Sequence, residues 1–199
     1  MTKYVLNSGA VHSSKDRGTA FFKEIVASLS GPITILCCFF ALPREDWDEK
    51  FLVHQRDLPS RLPNNVKPIL ILAMPDNFVT QVQTADVVYI HGGDDHLLQY
   101  WLKQFDVPRL WENKVVGASS AGSNALVSSY WTCDWRKCMD GLGILPIRFI
   151  AHFRSTAYTA NDPRGPIDWD EAHRELEDYG DKGQPIHALE EGEFISLTV

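Results

Sequence analysis

The sequence predicts an α/β fold built on a mostly parallel sheet. Apolar runs of four to eight residues alternate along the chain with longer amphipathic stretches. Buried parallel strands are typically continuous apolar runs, whereas the helices that cover a sheet are apolar on one side only. The 199 residues, 1–199, are expected to form a single domain, because a chain of this length can bury a core of its own.

Short apolar runs give the predicted strands, at residues 4–6, 33–39, 69–73, 87–91 and 115–119. Another run, residues 145–151, is interpreted as a strand that ends just before His152. Two late segments, residues 187–189 and 194–199, flank an acidic turn-like stretch. This arrangement predicts a late β-hairpin at the edge of the sheet.

The predicted helices lie between these runs, at residues 19–29, 47–54, 95–105, 121–128 and 168–179. Helices 19–29, 95–105 and 168–179 have apolar residues on one side, which indicates a face that packs on the sheet, whereas 121–128 is short and built of small residues. Residues 58–68 contain three prolines and predict an irregular connection. Residues 154–166 predict either a long loop that contributes to binding or a disordered connector.

The charge of the chain limits its partners. The formal net charge is −7, which argues against a general nucleic-acid binder or a protein of anionic membrane surfaces, since both need a basic face. The longest apolar run, residues 35–42, is too short to span a bilayer. The N-terminal apolar stretch is also too short for a signal peptide, so we expect a cytoplasmic protein.

The four cysteines, Cys37, Cys38, Cys133 and Cys138, are expected to be free thiols. Cys133 and Cys138 have the spacing C-x4-C, and the sequence offers no second pair to complete a tetrahedral zinc site. The sequence therefore predicts neither a metal nor an organic cofactor.

The stretch most indicative of chemistry joins the predicted strand 115–119 to the helix that follows. It reads G-A-S-S-A-G-S over residues 117–123, a run of small residues typical of a nucleophile elbow. Ser119 and Ser120 both fit, and Ser120 is preferred because it is nearer the helix and Gly122 follows it closely. Phosphate binding and simple tight packing are the alternatives for such a turn.

A nucleophilic serine needs a base and a carboxylate that orients the base. Among seven histidines, His152 is best placed, because it follows a strand and the ends of parallel strands meet at one edge of the sheet. Asp134 and Asp140 both lie between Ser120 and His152, and their spacing does not choose between them.

A second glycine-rich turn, Gly92-Gly93, follows the predicted strand 87–91. Glycines allow backbone N–H groups to face a ligand or an oxyanion. The next residues, Asp94 and Asp95, are suitable caps for the helix that begins there.

Taken together, these motifs resemble the peptidase S51 family, the group of dipeptidase E and cyanophycinase. The matching segments, in order over nearly the full length, are Asn7-Ser8-Gly9, Gly92-Gly93-Asp94, Ala118-Ser119-Ser120-Ala121-Gly122, Gly141-Leu142-Gly143-Ile144, Ala151-His152-Phe153 and residues 186–192. The resemblance implies a three-layer α/β sandwich similar to class I glutamine amidotransferases and therefore flavodoxin-like.

The resemblance also implies roles for residues. Ser120 would be the nucleophile, His152 the base and Asp134 the acid, with Asp140 as the alternative acid. It further implies an oxyanion hole formed by backbone N–H groups, those of Gly93 and Ala121.

Substrate binding is expected to involve Asp94, Arg154 and Arg164. The arginine that recognises an N-terminal aspartate in dipeptidase E has no match at residues 165–168, so the preferred N-terminal residue is left open.

The predicted function is hydrolysis of dipeptides or short peptides by a serine peptidase, a monomer or homodimer. The alternatives are a non-catalytic or regulatory module that binds a small ligand, and a hydrolase of another acyl bond.

Overall fold

The computed structural model describes residues 1–12, 14–16, 18–157 and 162–199. These residues form two sheets and the helices around them. The mostly parallel α/β architecture predicted from the sequence is confirmed. No helix in the described ranges combines the length and apolarity needed to cross a bilayer.

The main sheet has six strands in the order β10-β1-β5-β4-β2-β3. Their bounds are β1 Lys3–Asn7, β2 Gly31–Cys38, β3 Val66–Leu72, β4 Val87–Ile90, β5 Val115–Ser119 and β10 Phe194–Thr198. All neighbours are parallel except β10, which runs antiparallel to β1. The central strands β4 and β5 are buried along their whole length, which explains why they appear in the sequence as unbroken apolar or small-residue runs.

The helices are α1 Thr19–Ile25, α2 Trp47–Asp57, α3 Phe78–Thr84, α4 Asp95–Leu102, α5 Val107–Leu110, α6 Ala121–Leu126 and α7 Trp169–Asp178. Helix α1 packs very close to strand β5, because a Cβ atom at Gly117 would lie 2.4 Å from Ile25 Cδ1. The sequence did not predict α3 or α5. The predicted irregular segment 58–68 contains a 3-10 turn at Leu58–Arg61 and the start of β3.

A second, four-stranded sheet was not predicted. Its order is β7-β6-β8-β9, with bounds β6 Val127–Thr132, β7 Lys137–Asp140, β8 Leu145–Ile150 and β9 Ile186–Ala188. Helix α7 packs on it through Ala172 and Leu176, which form a small core with Trp131 and Ile150. The helix predicted over residues 121–128 ends at Leu126, and the chain continues as β6.

The predicted late β-hairpin is wrong. Strand β9 pairs in parallel with β8 in the small sheet, whereas β10 pairs antiparallel with β1 in the main sheet. The backbone between them bonds to other segments: the N–H of Leu189 donates to Ile150 O and that of Gly192 donates to Gly9 O. Residues 189–193 therefore connect the two sheets, and we call them the connecting segment.

Candidate active site

Ser120 lies at the sharp turn between strand β5 and helix α6. Its backbone has φ 52° and ψ −119°, a conformation that residues other than glycine rarely adopt. Its N–H donates to Asn7 O at 3.0 Å, which fixes the turn to the end of β1. Gly122 lets α6 start against β4, because a Cβ atom there would lie 2.7 Å from Ile90 O. This is the geometry of a nucleophile elbow.

The hydroxyl of Ser120 faces the ring of His152. Ser120 Oγ lies 2.9 Å from His152 Nε2, within hydrogen-bond distance. His152 lies two residues after the end of β8, has φ 56° and is only 4% exposed. The structure thus brings together the serine and the histidine that the sequence indicated.

The carboxylate at the other ring nitrogen is Glu191, in the connecting segment. Its Oε1 atom lies 3.4 Å from His152 Nδ1 and also accepts a hydrogen bond of 2.5 Å from Ser155 Oγ. Glu191 was not among the predicted acids, which lie between Ser120 and His152 in the sequence.

The structure places Glu191 at His152 Nδ1, where the sequence predicted Asp134 or Asp140. Asp140 lies at the end of β7 in the small sheet, where its charge acts on Tyr179. Asp134 is close enough for its charge to raise the pKa of His152, but Glu191 provides the stronger effect of the two carboxylates. Glu191 reaches His152 because it lies in the connecting segment, which contacts His152 between the two sheets.

His152 is held in the neutral form that a general base requires. Burial lowers the pKa of its imidazole below the usual value, and the charges of Glu191 and Asp134 oppose that shift only in part. At neutral pH the ring can therefore accept the proton of Ser120.

Ser8, buried at the end of β1, fixes the backbone on both sides of this pair. Its hydroxyl accepts the N–H of His152 at 2.8 Å and donates to Leu189 O at 2.7 Å. Next to it, Gly9 has φ 123°, and a Cβ atom there would lie 2.1 Å from His152 Cε1. Only glycine leaves room for the imidazole, which gives a physical role to the Ser8-Gly9 pair noted in the sequence.

A cavity of about 460 Å³ opens on one side of Ser120. Its described lining residues are Ala10, Val11, His12, Leu42, Lys50, Tyr89, His91, Gly92, Gly93, Ser119, Ser120 and His152. None of these described residues has a carboxylate, and Lys50 contributes a positive charge to this side. His12 and Lys50 were not among the candidate site residues that the sequence indicated.

A second, much smaller cavity lies on the other side of the serine and is acidic. Asp95 and Asp134 line it together with Gly93 and Ala121. Asp95 is 2% exposed and accepts hydrogen bonds from Asn124 and Thr132. Burial raises the pKa of its carboxyl to about 6.

The residues expected to bind substrate lie elsewhere. Asp94 caps helix α4 by accepting the N–H of Leu97 at 2.7 Å. Arg154 lines a separate cavity together with Phe153, over whose ring its guanidinium lies. Arg164 pairs with Asp162 at 2.5 Å and donates to the backbone oxygen of Asp134. In the described residues none of the three side chains lines either cavity beside Ser120.

Comparison with known proteins supports the fold. No family model matches the chain, and no curated protein matches it. A peptidase from an acI-B1 Actinobacterium superposes with a TM-score of 0.58 at 18% identity, covering 99% of this chain and 83% of that one. A Listeria monocytogenes EGD-e protein assigned as a Peptidase E superposes with a TM-score of 0.58 at 15% identity. The superposition covers 100% of this chain and 99% of that one. Both are named as peptidases, as the S51 resemblance predicts, and the shared property at these identities is the fold.

Proposed function

We propose that this protein is a serine peptidase that hydrolyses short peptides. The observation that carries the proposal is the contact of 2.9 Å between Ser120 Oγ and His152 Nε2 at a strained elbow, with Glu191 on the opposite ring nitrogen. Nucleophile, base and orienting acid in this order are the parts of a catalytic triad.

In the proposed mechanism, Ser120 Oγ attacks the carbonyl carbon of the peptide bond while His152 Nε2 takes the hydroxyl proton. Backbone N–H groups of Gly93 and Ala121 stabilise the resulting oxyanion. His152 then gives its proton to the leaving amine, and the bond between carbon and nitrogen breaks. A water molecule then attacks the acyl-enzyme with the same help from His152, and the carboxylic acid product leaves. Glu191 stabilises the imidazolium in both halves of the reaction.

The charges on either side of Ser120 favour a short zwitterionic peptide. Asp134 and Asp95 lie on the acidic side, and Lys50 lines the cavity on the other. We propose that Asp134, rather than serving as the triad acid, attracts the N-terminal ammonium of the substrate, and that Lys50 attracts its C-terminal carboxylate. Such a site selects di- and tripeptides over internal bonds of long chains.

Labelling with a fluorophosphonate tests the nucleophile without choosing a substrate. We expect one adduct on the wild-type protein, located at Ser120 by peptide mass spectrometry, and none on Ser120→Ala. Ser119→Ala is the matched control and should still be labelled at Ser120. An unlabelled wild-type protein, or equal labelling of Ser120→Ala, would contradict the mechanism.

Substrate selection is tested with a mixture of di- and tripeptides in free, N-acetylated and C-amidated forms, followed by mass spectrometry. We expect free peptides to disappear fastest, and Asp134→Asn to lose the preference for a free N-terminus. Lys50→Gln should lose the preference for a free C-terminus. Cleavage of all three forms at equal rates would overturn the proposed roles of the two charges.

A further inference from the structure

Three histidines meet in the cavity wall beside Ser120, although they come from separate parts of the chain. His12 follows β1, His54 lies on α2 and His91 directly follows β4. One nitrogen from each ring can be chosen so that all three lie within 4.8 Å of one another. The ring of His54 lies between the other two, with centroid distances of 5.6 Å to His12 and 5.4 Å to His91.

Backbone carbonyls fix the tautomers of two of these rings. His54 Nδ1 lies 2.9 Å from Lys50 O, and His91 Nδ1 lies 2.6 Å from Gly92 O. A carbonyl oxygen only accepts, so each Nδ1 carries the proton and each Nε2 keeps its lone pair. The same arrangement orients histidine ligands in metal sites.

The lone pair of His54 Nε2 is not used by the described residues of the surrounding core. It is buried and has no hydrogen-bond partner among the residues that the structure describes. Burial lowers the pKa of His54 to about 4 and that of His91 to about 4, so both rings are neutral at physiological pH. A buried lone pair without a donor costs free energy, which a bound cation would recover.

We propose that His12, His54 and His91 form a reversible binding site for a divalent transition metal, with Zn²⁺ as the preferred ion. Three neutral imidazoles suit Zn²⁺ and its neighbours in the first transition row, and they do not suit Mg²⁺ or Ca²⁺, which prefer oxygen ligands. The fourth position faces the cavity and is left to water or to a group of a bound molecule.

Two nearby cations make this site reversible rather than structural. Arg61 Nη2 lies 2.7 Å from His12 Nδ1 and competes with a metal for that ring, and Lys50 lines the same cavity. Their charges oppose a dication, so the metal is held less tightly than in a site with a carboxylate.

The position of the site gives the metal a regulatory effect. His12 and His91 line the cavity that leads to Ser120. A metal there would occupy the side that we assign to the substrate carboxylate, and would inhibit hydrolysis competitively. The inhibition rests on the proposed function, whereas the binding of the metal does not.

The test is isothermal titration of untagged protein with ZnCl₂, supported by the visible absorption of Co²⁺. We expect one ion per chain and a Co²⁺ spectrum of low coordination number. His12→Ala, His91→Gln and His54→Gln should each weaken binding by about tenfold or more. His12 is exposed, so His12→Ala gives a result even where a change at buried His54 affects folding. The control His173→Ala, on α7, should bind like the wild type.

Ser120→Ala separates this proposal from the proposed function, since it should bind Zn²⁺ like the wild type while it hydrolyses nothing. Binding that is unchanged in both His12→Ala and His91→Gln would overturn the site, as would a wild-type protein that binds no Zn²⁺. Binding without inhibition of peptide hydrolysis by the wild type would overturn the regulatory effect alone.

Discussion

Glu191 Oε1 lies 3.4 Å from His152 Nδ1, on the side of the imidazole opposite Ser120. In the proposed triad, nucleophile, base and acid follow in the chain order Ser120, His152, Glu191. Glu191 lies in the connecting segment and accepts a hydrogen bond from the hydroxyl of Ser155. Because no strand or helix positions Glu191, its place depends on the contacts of the segment around it.

Glu191→Gln should lower kcat by a factor of about 10³–10⁴ at pH 7, with KM nearly unchanged. The amide neither stabilises the imidazolium nor holds the ring in the required tautomer. Steady-state kinetics on the best peptide of the mixture measures this effect. Asp140→Asn is the matched control and should keep wild-type kcat. An equal loss in both variants would indicate that Glu191 does not act on His152.

The pH profile of kcat/KM should rise with pH as His152 loses its proton, with a midpoint below 6.5, the ordinary value for histidine. Burial lowers the pKa of this ring, and Glu191 partly opposes that effect. Removing the negative charge in Glu191→Gln should therefore move the midpoint to still lower pH. A midpoint that moves upward would contradict the assigned contact.

Gly9→Ala should abolish activity while the protein stays folded. The new Cβ atom would lie 2.1 Å from His152 Cε1, so the ring must leave Ser120. Gly31→Ala is the matched control, since Gly31 also has a positive φ, 77°, and a Cβ atom there meets nothing within 4 Å. Both variants place an alanine at a positive φ, and only Gly9→Ala should lose turnover.

Asp95→Asn should stabilise the protein at neutral pH. The pKa of Asp95 is raised to about 6, so the folded state binds a proton more tightly than the unfolded state does. Wild-type stability therefore falls as the pH rises from about 4 to about 6, by at most about 3 kcal/mol, and stays lowered above that range. Asparagine removes this dependence and can still bond to Asn124 and Thr132 through its oxygen and amide.

Measured Tm values of the two proteins across this pH range test the prediction. The difference between variant and wild type should grow as the pH rises. A constant difference would mean that Asp95 titrates normally.

The sequence predicted the parts of the site that local pattern controls. Residues 115–123 form a strand, a turn and a helix among near neighbours, so their small side chains identified Ser120 correctly as the serine at the turn. Glu191 could not be found in this way, because its contact with His152 depends on how the two sheets are connected. A search of acidic residues on both sides of the histidine would have included it.

The wrong hairpin has a similar cause. Strands β9 and β10 are separated by an acidic turn-like segment, and a local pattern of this kind normally indicates pairing between the two. Here β9 pairs with β8 and β10 pairs with β1. Pairing with a strand that is distant in sequence leaves no local sequence pattern near the paired residues. Strand β6 was also missed, since it begins with one apolar residue and two serines and its pairing with β8 shifts register between Val127 and Ser129.

Because the connecting segment joins the two sheets, the site can assemble only after both sheets have formed. Ser120 follows β5 of the main sheet and His152 follows β8 of the small sheet. Glu191 lies in the segment that connects β9 of the small sheet to β10 of the main sheet. A half-folded molecule with only one sheet formed would not bring Ser120, His152 and Glu191 together and would therefore lack the proposed triad. Brief separation of the sheets in the native state would also stop turnover without global unfolding. Faster amide exchange at His152 and Gly192 would record each such opening, because their N–H groups donate to Ser8 Oγ and Gly9 O, which follow β1 of the main sheet.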